Sequence, residues 1–298
     1  MIKSFSDLMT EAKAKGPKKV AVAVAQDGVV LEALAIAHQE KIAQPLLFGD
    51  KKAIEEAAAR AKVGIATWEI NDIIDMAEAS RAAVAAVKSG RADFLMKGLV
   101  ATATFLKAVL DKEAGLRTGR LLSHVALMEV AGYHKIFFLT DAGMCVKPDL
   151  IAKIDIINNA VEIAHKMGME KPKVAVLAAV EVINPEMPET MDAAELSKMA
   201  ERGQIKGCLV DGPLALDLAV SSEAAAHKKV KSPVAGDADI FIVPEIAAGN
   251  IFAKALIYMA GARAAGIIAG AAKPVVMLSR SDSKQQKINS IALGVVSC

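Results

Sequence analysis

The chain is short of cysteine, of aromatic residues and of any excess of charge, and each shortage closes off a class of protein. Cys145, Cys208 and Cys298 are odd in number and far apart, which argues against a disulfide framework or a structural zinc cluster and fits a reducing compartment. The cytoplasm is the expected location. Aromatic residues make up only 4% of the sequence although hydrophobic ones reach 54%, because alanine supplies much of the apolar count. Alanine-rich amphipathic helices should follow. With 36 basic and 34 acidic residues spread along the chain, the net charge of +2 offers no stripe for nucleic acid. A single arginine can still hold a phosphate without any global excess of charge.

Long apolar runs are scarce too. The amino-terminal MIKSFSDLMTEAKAKGPKK carries lysines throughout and reads as a short amphipathic helix, not a signal peptide. Only Ile251 to Ala272 imitates a membrane span, and it contains Lys254 and Arg263, each costing about 2.5–3.5 kcal/mol at a bilayer midplane. One long buried helix and no membrane association are expected there. Catalytic signatures are missing as well: no GxGxxG follows a strand, and there is no Walker loop and no GxSxG elbow. His38, His124, His134, His165 and His227 show no metal-ligand spacing. Nicotinamide dehydrogenase, nucleotide kinase, serine hydrolase and zinc enzyme all lose ground, and no metal is expected.

What is present is a regular alternation. Strand-like runs occur at Val20–Ala25, Pro45–Phe48, Asp93–Met96, His124–Val130, Lys135–Thr140, Lys173–Val180, Gly207–Gly212, Asp239–Pro244 and Pro274–Leu278, most of them separated by helical pattern. Such alternation predicts an α/β fold with a mostly parallel sheet covered by helices. A chain of 298 residues stands where one core usually gives way to two, so two domains are expected. Asp50 can cap a helix with Ile54, Ala57, Ala58 and Ala61 on one side, Lys88-Ser89-Gly90 can end another, and Pro148 can open a third running to about Gly168. The segment Pro185 to Thr190 reads as a mobile surface loop. Only AGYH joins the runs around Val125 and Ile136, too little for a parallel crossover, so the chain either makes a hairpin there or passes between domains.

Chemistry-bearing residues gather at strand ends. MKGLVATATF follows Asp93–Met96, TGRLLSH precedes His124–Val130, and DGPLALD and PEIAAGN follow two later runs. After Pro274–Leu278 comes Ser279-Arg280-Ser281-Asp282-Ser283, hydroxyls with one guanidinium and one carboxylate, where any of the last three could cap the next helix. Open α/β sheets bind ligands outside the carboxyl ends of their strands. Small residues let a ligand approach the backbone, and a helix start offers free N–H groups to a phosphate. Lys97, Arg120, Ser123, Asn250 and Ser283 are the accompanying candidates for substrate contacts.

DGPLALD, SPVAGDADIFIVPEIAAGN and KPVVMLSR, in that order, resemble the phosphate acyltransferase family of phosphotransacetylases and phosphotransbutyrylases. The earlier LMKGLVATATFLKAVLDKEAGLRTGRLLSHVAL is similar to its phosphotransbutyrylase branch. The resemblance runs from about Val20 to the end. It implies two α/β/α domains arranged as in isocitrate and isopropylmalate dehydrogenases, with the active-site cleft between them. Residues 1–132 and 251–298 would form the first domain and residues 133–250 the inserted second. It implies acyl-CoA plus phosphate giving acyl phosphate plus coenzyme A, reversibly and by direct transfer. No permanently bound cofactor is implied, and the expected assembly is a homodimer or a multiple of dimers.

By that resemblance Ser279 and Arg280 would hold the phosphoryl group and assist the carbonyl. The acetyl enzymes carry a cysteine two residues after the arginine and an aspartate four further on, proposed as base for the thiol; here those positions hold Asp282 and Gln286. Glutamine cannot act as a base. Asp282 takes its place as the candidate, unless no dedicated base is needed. The expected substrate is butyryl-CoA or a related short or branched acyl-CoA. The alternatives are an acetyl-preferring or long-chain enzyme, or a catalytically weak coenzyme A binding relative.

Overall fold

The computed structural model describes residues 1–279 and 282–298. In chain order the elements are α1 (Phe5–Lys15), β1 (Lys18–Ala23), α2 (Gly28–Gln39), β2 (Ala43–Gly49), α3 (Lys51–Ala61), β3 (Glu69–Asp72), α4 (Met76–Lys88), β4 (Phe94–Lys97), α5 (Thr102–Val109), β5 (Ser123–Glu129) and β6 (Phe137–Thr140). They continue with α6 (Leu150–Lys166), β7 (Lys173–Leu177), α7 (Pro188–Glu201), β8 (Leu209–Leu214), α8 (Leu216–Val220), α9 (Ser222–His227), β9 (Ile240–Ile242), α10 (Ile246–Met259), β10 (Arg263–Ala269), β11 (Val275–Val276) and α11 (Lys284–Val296). The alternation expected from the sequence is therefore an α/β fold. Two compact units divide the chain: residues 1–5 with 121–264, and residues 6–120 with 265–298.

In the unit of residues 6–120 and 265–298 the strand order is β3, β2, β1, β4, β11, β10. The first five run parallel and β10 is antiparallel to β11. Val20 to Ala25 are fully buried, as a strand covered on both faces must be, and the run is accordingly apolar throughout. Helices α2, α3 and α4 start on Asp27, Asp50 and Asp75, whose carboxylates accept first-turn N–H groups. Helix α11 is buried from Lys287 to Val296. It lies so close to the sheet that a Cβ on Gly294 would stand 3.1 Å from the Phe94 ring and from Val276. Burying each of its larger apolar side chains contributes about 1.5–3 kcal/mol, so α11 anchors β4 and β11 firmly.

In the unit of residues 1–5 and 121–264 the order is β5, β6, β9, β7, β8, parallel except for β5 against β6. The AGYH connection is thus a hairpin. Tyr133 within it stacks edge-on against Phe137 at 5.7 Å and donates its hydroxyl to the Ala238 carbonyl at 2.8 Å. Burial pushes its phenol well above the usual tyrosine range, with the charges of Asp237 and Asp239 adding to the effect. The expected domain limits lay at 132/133 and 250/251, whereas the compact units change over at 120/121 and 264/265. The physical reasons are that β5 is hydrogen-bonded to β6, and that Phe252, Leu256 and Ile257 of α10 pack on the same core.

Three local expectations are corrected. Ile251–Ala272 is not one buried helix: α10 ends at Met259, Gly261 takes a φ of +65°, and Arg263–Ala269 is strand β10. Nor is α10 buried, for Ile251, Tyr258 and Met259 are 70%, 68% and 86% exposed. Among the described residues no helix is long and apolar enough to cross a membrane. The segment around Pro185–Thr190 is tied down, since Pro188 opens α7 and the fully buried Thr190 hydroxyl reaches the Met187 carbonyl at 2.7 Å while accepting the Asn184 N–H at 2.9 Å. Pro148 stands just before the cap of α6 rather than in its first turn, because Asp149 takes the capping role.

Candidate active site

In the unit built on α11, β1 pairs with β2 on one side and β4 on the other, so the chain's strand order reverses between β1 and β4. That reversal opens the usual ligand crevice of a parallel sheet at the strands' carboxyl ends. Here the loop after β4 crosses the end of β1 backbone to backbone. Gly98 and Leu99 donate their N–H groups to the carbonyls of Ala23 at 2.9 Å and Val24 at 2.7 Å. Only glycine fits at 98, because a Cβ would lie 2.2 Å from the Val24 oxygen. Val24 itself has a φ of +58°, a conformation a β-branched residue rarely takes, and it is fully buried.

Lys97 ends β4, with 9% of its surface exposed and its Nζ 3.4 Å from the Gly98 carbonyl. On the other flank β11 runs parallel to β4 with Val276 opposite Met96, so Met277 to Ser279 leave the sheet beside Lys97. Arg280 and Ser281 lie outside the described residues. On either side of them the turn closes on itself: Ser279 donates its N–H to Asp282 Oδ2 at 2.8 Å, and Asp282 donates its own to the Ser279 carbonyl at 3.2 Å. Ser283 then caps α11. Its hydroxyl accepts the Gln286 N–H at 3.2 Å and its N–H is donated to Gln286 Oε1 at 2.8 Å, a complete capping box.

Lys97, Ser279, Asp282 and Ser283 thus share one end of one sheet. The main chain leading to Arg120 is fastened elsewhere on that unit. Thr118 donates its hydroxyl to the Gly270 carbonyl at 2.5 Å and accepts the Arg120 N–H at 3.3 Å, at the start of β11 rather than its carboxyl end. Ser123 and Asn250 belong to the other unit, at the carboxyl end of β6. Ser123 is fully buried and its hydroxyl accepts a hydrogen bond from Asn159 at 2.9 Å. Asn250 is exposed, within α10 rather than at its cap, and donates to the Ala142 carbonyl at 3.2 Å. Asp141 organises that end by accepting from the N–H groups of His124, Gly143 and Met144.

Two groups escaped the sequence reading. Asn159 holds Ser123 from the middle of α6, where nothing in the pattern marks it. Lys287 is 3% exposed and donates to the carbonyls of Ser279 at 3.1 Å and Asp282 at 3.1 Å. A lysine beside Ile288 and one helical turn after the Ser283 cap was the available signal. Two of the thiols are poor nucleophiles: burial, with Asp141 nearby, pushes Cys145 up to about 12, and burial pushes Cys208 up to about 11. The arrangement suits binding an anion beside a cation and a serine.

The phosphate acetyl/butaryl transferase profile matches residues 4–79 and 74–295. The phosphate butyryltransferase of Clostridium acetobutylicum is 52% identical over 296 residues, covering 99% of this chain and 98% of that one. The phosphate acetyltransferase of Thermotoga maritima is 48% identical over 291 residues, covering 97% and 98%. Among solved structures, a branched-chain phosphotransacylase from Enterococcus faecalis superposes with a TM-score of 0.84 at 35% identity, covering 94% of this chain and 98% of that one.

Proposed function

The chain belongs to the phosphate acetyl/butaryl transferase family, and from that premise we propose that it transfers the acyl group of butyryl-CoA, or a related short or branched acyl-CoA, to inorganic phosphate. The observation that carries this reading is the β4–β11 pairing, which sets the Ser279 turn beside Lys97 at the strand ends. Phosphate is held by Arg280, whose planar fork suits bidentate binding, with Lys97 adding charge and the capped start of α11 adding dipole, while the single hydroxyl proton of Ser279 beside it is kept for the carbonyl. A phosphate oxygen attacks the thioester carbonyl, forming a C–O bond. The Ser279 hydroxyl donates to the oxyanion, and the C–S bond breaks with its electron pair leaving on sulfur. No acyl-enzyme forms, in keeping with the high thiol pKa values of Cys145 and Cys208.

Asp282 has one carboxylate oxygen committed to the Ser279 N–H, so we assign it to holding the turn. The departing thiolate needs no dedicated base in this direction, and a thiol of pKa near 8.5 is a few per cent ionised at neutral pH for the reverse. Ser123, buried on Asn159, supports its strand end, while Asn250 shapes the opening near Ala142. We place the reaction in the cytoplasm, where cysteines that form no disulfide persist. The chain forms a homodimer, or a multiple of dimers, through α10, where exposed Ile251 and Tyr258 recur seven residues apart on one face with Lys254 lying over the Tyr258 ring. Sedimentation of a monomer at micromolar concentration would rule that out.

The test is release of free thiol from acetyl-, butyryl-, isobutyryl- and octanoyl-CoA with and without phosphate. Phosphate-dependent release with a butyryl or branched-chain optimum is the expected result. An acetyl optimum would reassign the substrate, and tight coenzyme A binding without phosphate-dependent release would leave only the binding relative.

A further inference from the structure

We infer that Lys287 is a positioning residue for phosphate, fastening the Ser279–Asp282 turn from beneath and lending it a fixed positive charge; this rests on the phosphate-binding role proposed for that turn. Two independent features of α11 support it. The first is geometry. The Lys287 ammonium is 3% exposed and donates to the two carbonyls that bracket the turn, Ser279 and Asp282, each at 3.1 Å. One cation therefore fixes where the strand lets go and where the helix begins. Because the Ser279 carbonyl is pinned on Lys287 while its N–H is pinned on Asp282 at 2.8 Å, the Ser279 Cα–Cβ direction is set from both sides.

The second feature is charge. A helix start is the positive end of its dipole and favours acids, yet the first turn of α11 contains no acid, and its first four residues include Lys284 and Lys287. Lys284 is paired with Glu32. Lys287 is hydrogen-bonded to neutral carbonyls, and the one carboxylate of the turn, Asp282, is turned to the Ser279 N–H instead of forming a direct ion pair with it. A buried cation at the positive end of a helix is retained at a cost to the fold; Asp282 offsets part of that cost, and an anion bound at the turn offsets the rest.

The experiment compares the unsubstituted enzyme with Lys287→Met, which keeps the stem and removes the ammonium, and with Lys287→Gln, which keeps two N–H donors without charge. Phosphate-dependent thiol release is measured with phosphate and acyl-CoA varied separately, together with the melting temperature with and without 50 mM orthophosphate, roughly. The expected result is a rise of about tenfold or more in the KM for phosphate in both variants, a KM for acyl-CoA within about threefold, and loss of the phosphate-induced rise in melting temperature. If Lys287→Met does not fold, Lys287→Gln carries the same criterion. A folded variant with an unchanged phosphate KM, or with both KM values raised alike, overturns the inference and leaves Lys287 as scaffold. Absence of phosphate-dependent release in the unsubstituted chain overturns the functional reading itself, and the inference with it.

Discussion

Replacing Gly98 by alanine tests whether the β1–β4 crossing is as tight as the site requires. The added methyl carbon would stand 2.2 Å from the Val24 oxygen and 2.9 Å from the Ala23 oxygen, both backbone atoms that no side-chain rotation can move away. Restoring an ordinary contact needs a displacement of about 1 Å, since non-bonded carbon and oxygen rest near 3.2–3.5 Å. That movement strains the N–H bonds from Gly98 to Ala23 and from Leu99 to Val24. Overpacking costs about 1–3 kcal/mol and each of the two weakened bonds about 0.5–1.5 kcal/mol, so a loss of about 2–6 kcal/mol is expected. Lys97, the preceding residue, moves with the loop, and a 1 Å misplacement of a binding group lowers kcat/KM by roughly a hundredfold.

Gly64→Ala is the control, because an added Cβ at Gly64 meets nothing within 4 Å. It should be neutral, or stabilising by about 0.4–1 kcal/mol through the unfolded chain. Urea unfolding followed by circular dichroism, with thiol-release kinetics on the same preparations, separates the two glycines. Equal unfolding midpoints for the Gly98 and Gly64 variants would refute the reasoning, for the backbone would then have room the geometry denies it.

Three further perturbations follow from the same contacts. Ser279→Ala keeps the N–H bond to Asp282 and the carbonyl bond from Lys287, so the turn should persist while turnover falls by about 10²–10³, the usual effect of losing an oxyanion donor; kcat within threefold of normal would remove Ser279 from the chemistry. Gln286→Asp shortens the side chain that accepts the Ser283 N–H, so about 1 kcal/mol of stability should be lost with no gain in turnover; a faster enzyme would show that a base was wanted there after all. Burial alone would raise Asp237, but hydrogen bonds from Lys135, Lys173 and His134 hold it well below the usual carboxylate range. Its contribution is then present above the unfolded value near 4 and fades as pH falls toward the depressed folded value. Because Asp237 is 43% exposed, Asp237→Asn should cost only about 1 kcal/mol at pH 7, and a difference that persisted undiminished at pH 2 would contradict this account.

The parallel-sheet pattern was legible because buried β-branched runs and acidic helix caps are local signals, and all nine strands expected from them are present. The two strands not foreseen carry no such signal. Glu69–Asp72 has one apolar residue and lies at a sheet edge, while Arg263–Ala269 is rich in alanine and was absorbed into the helical reading of its neighbour. There the stop was written in Gly261, whose left-handed φ ends α10, but glycine within an alanine run is ambiguous until the partner strand is known. The Ser279 turn was legible from its hydroxyls. Lys287 was marked only by its place one turn after the Ser283 cap, and its role depends on which carbonyls it meets in the folded chain, a property of three dimensions.

The contacts around Ser283 also bear on the aspartate that the resemblance led one to seek. Gln286 is the third residue of α11, where a side chain long enough to reach back to the Ser283 N–H completes the capping box. An aspartate there is one methylene too short for that reach, so the position can serve a rigid helix start or a proton acceptor, but not both equally. In this chain the neighbouring contacts all favour rigidity: Asp282 on the Ser279 N–H, Lys287 on two carbonyls, Gln286 on Ser283. On the proposed reading these contacts would hold phosphate in one orientation, and orientation accelerates attack on a thioester without any proton transfer. Acyl preference is a separate matter. Relatives 52% and 48% identical to this chain carry butyryl and acetyl names, and one methylene is worth only about 1–3 kcal/mol in an apolar pocket. Chain length can therefore change with a few pocket residues while the proposed phosphate site stays as it is.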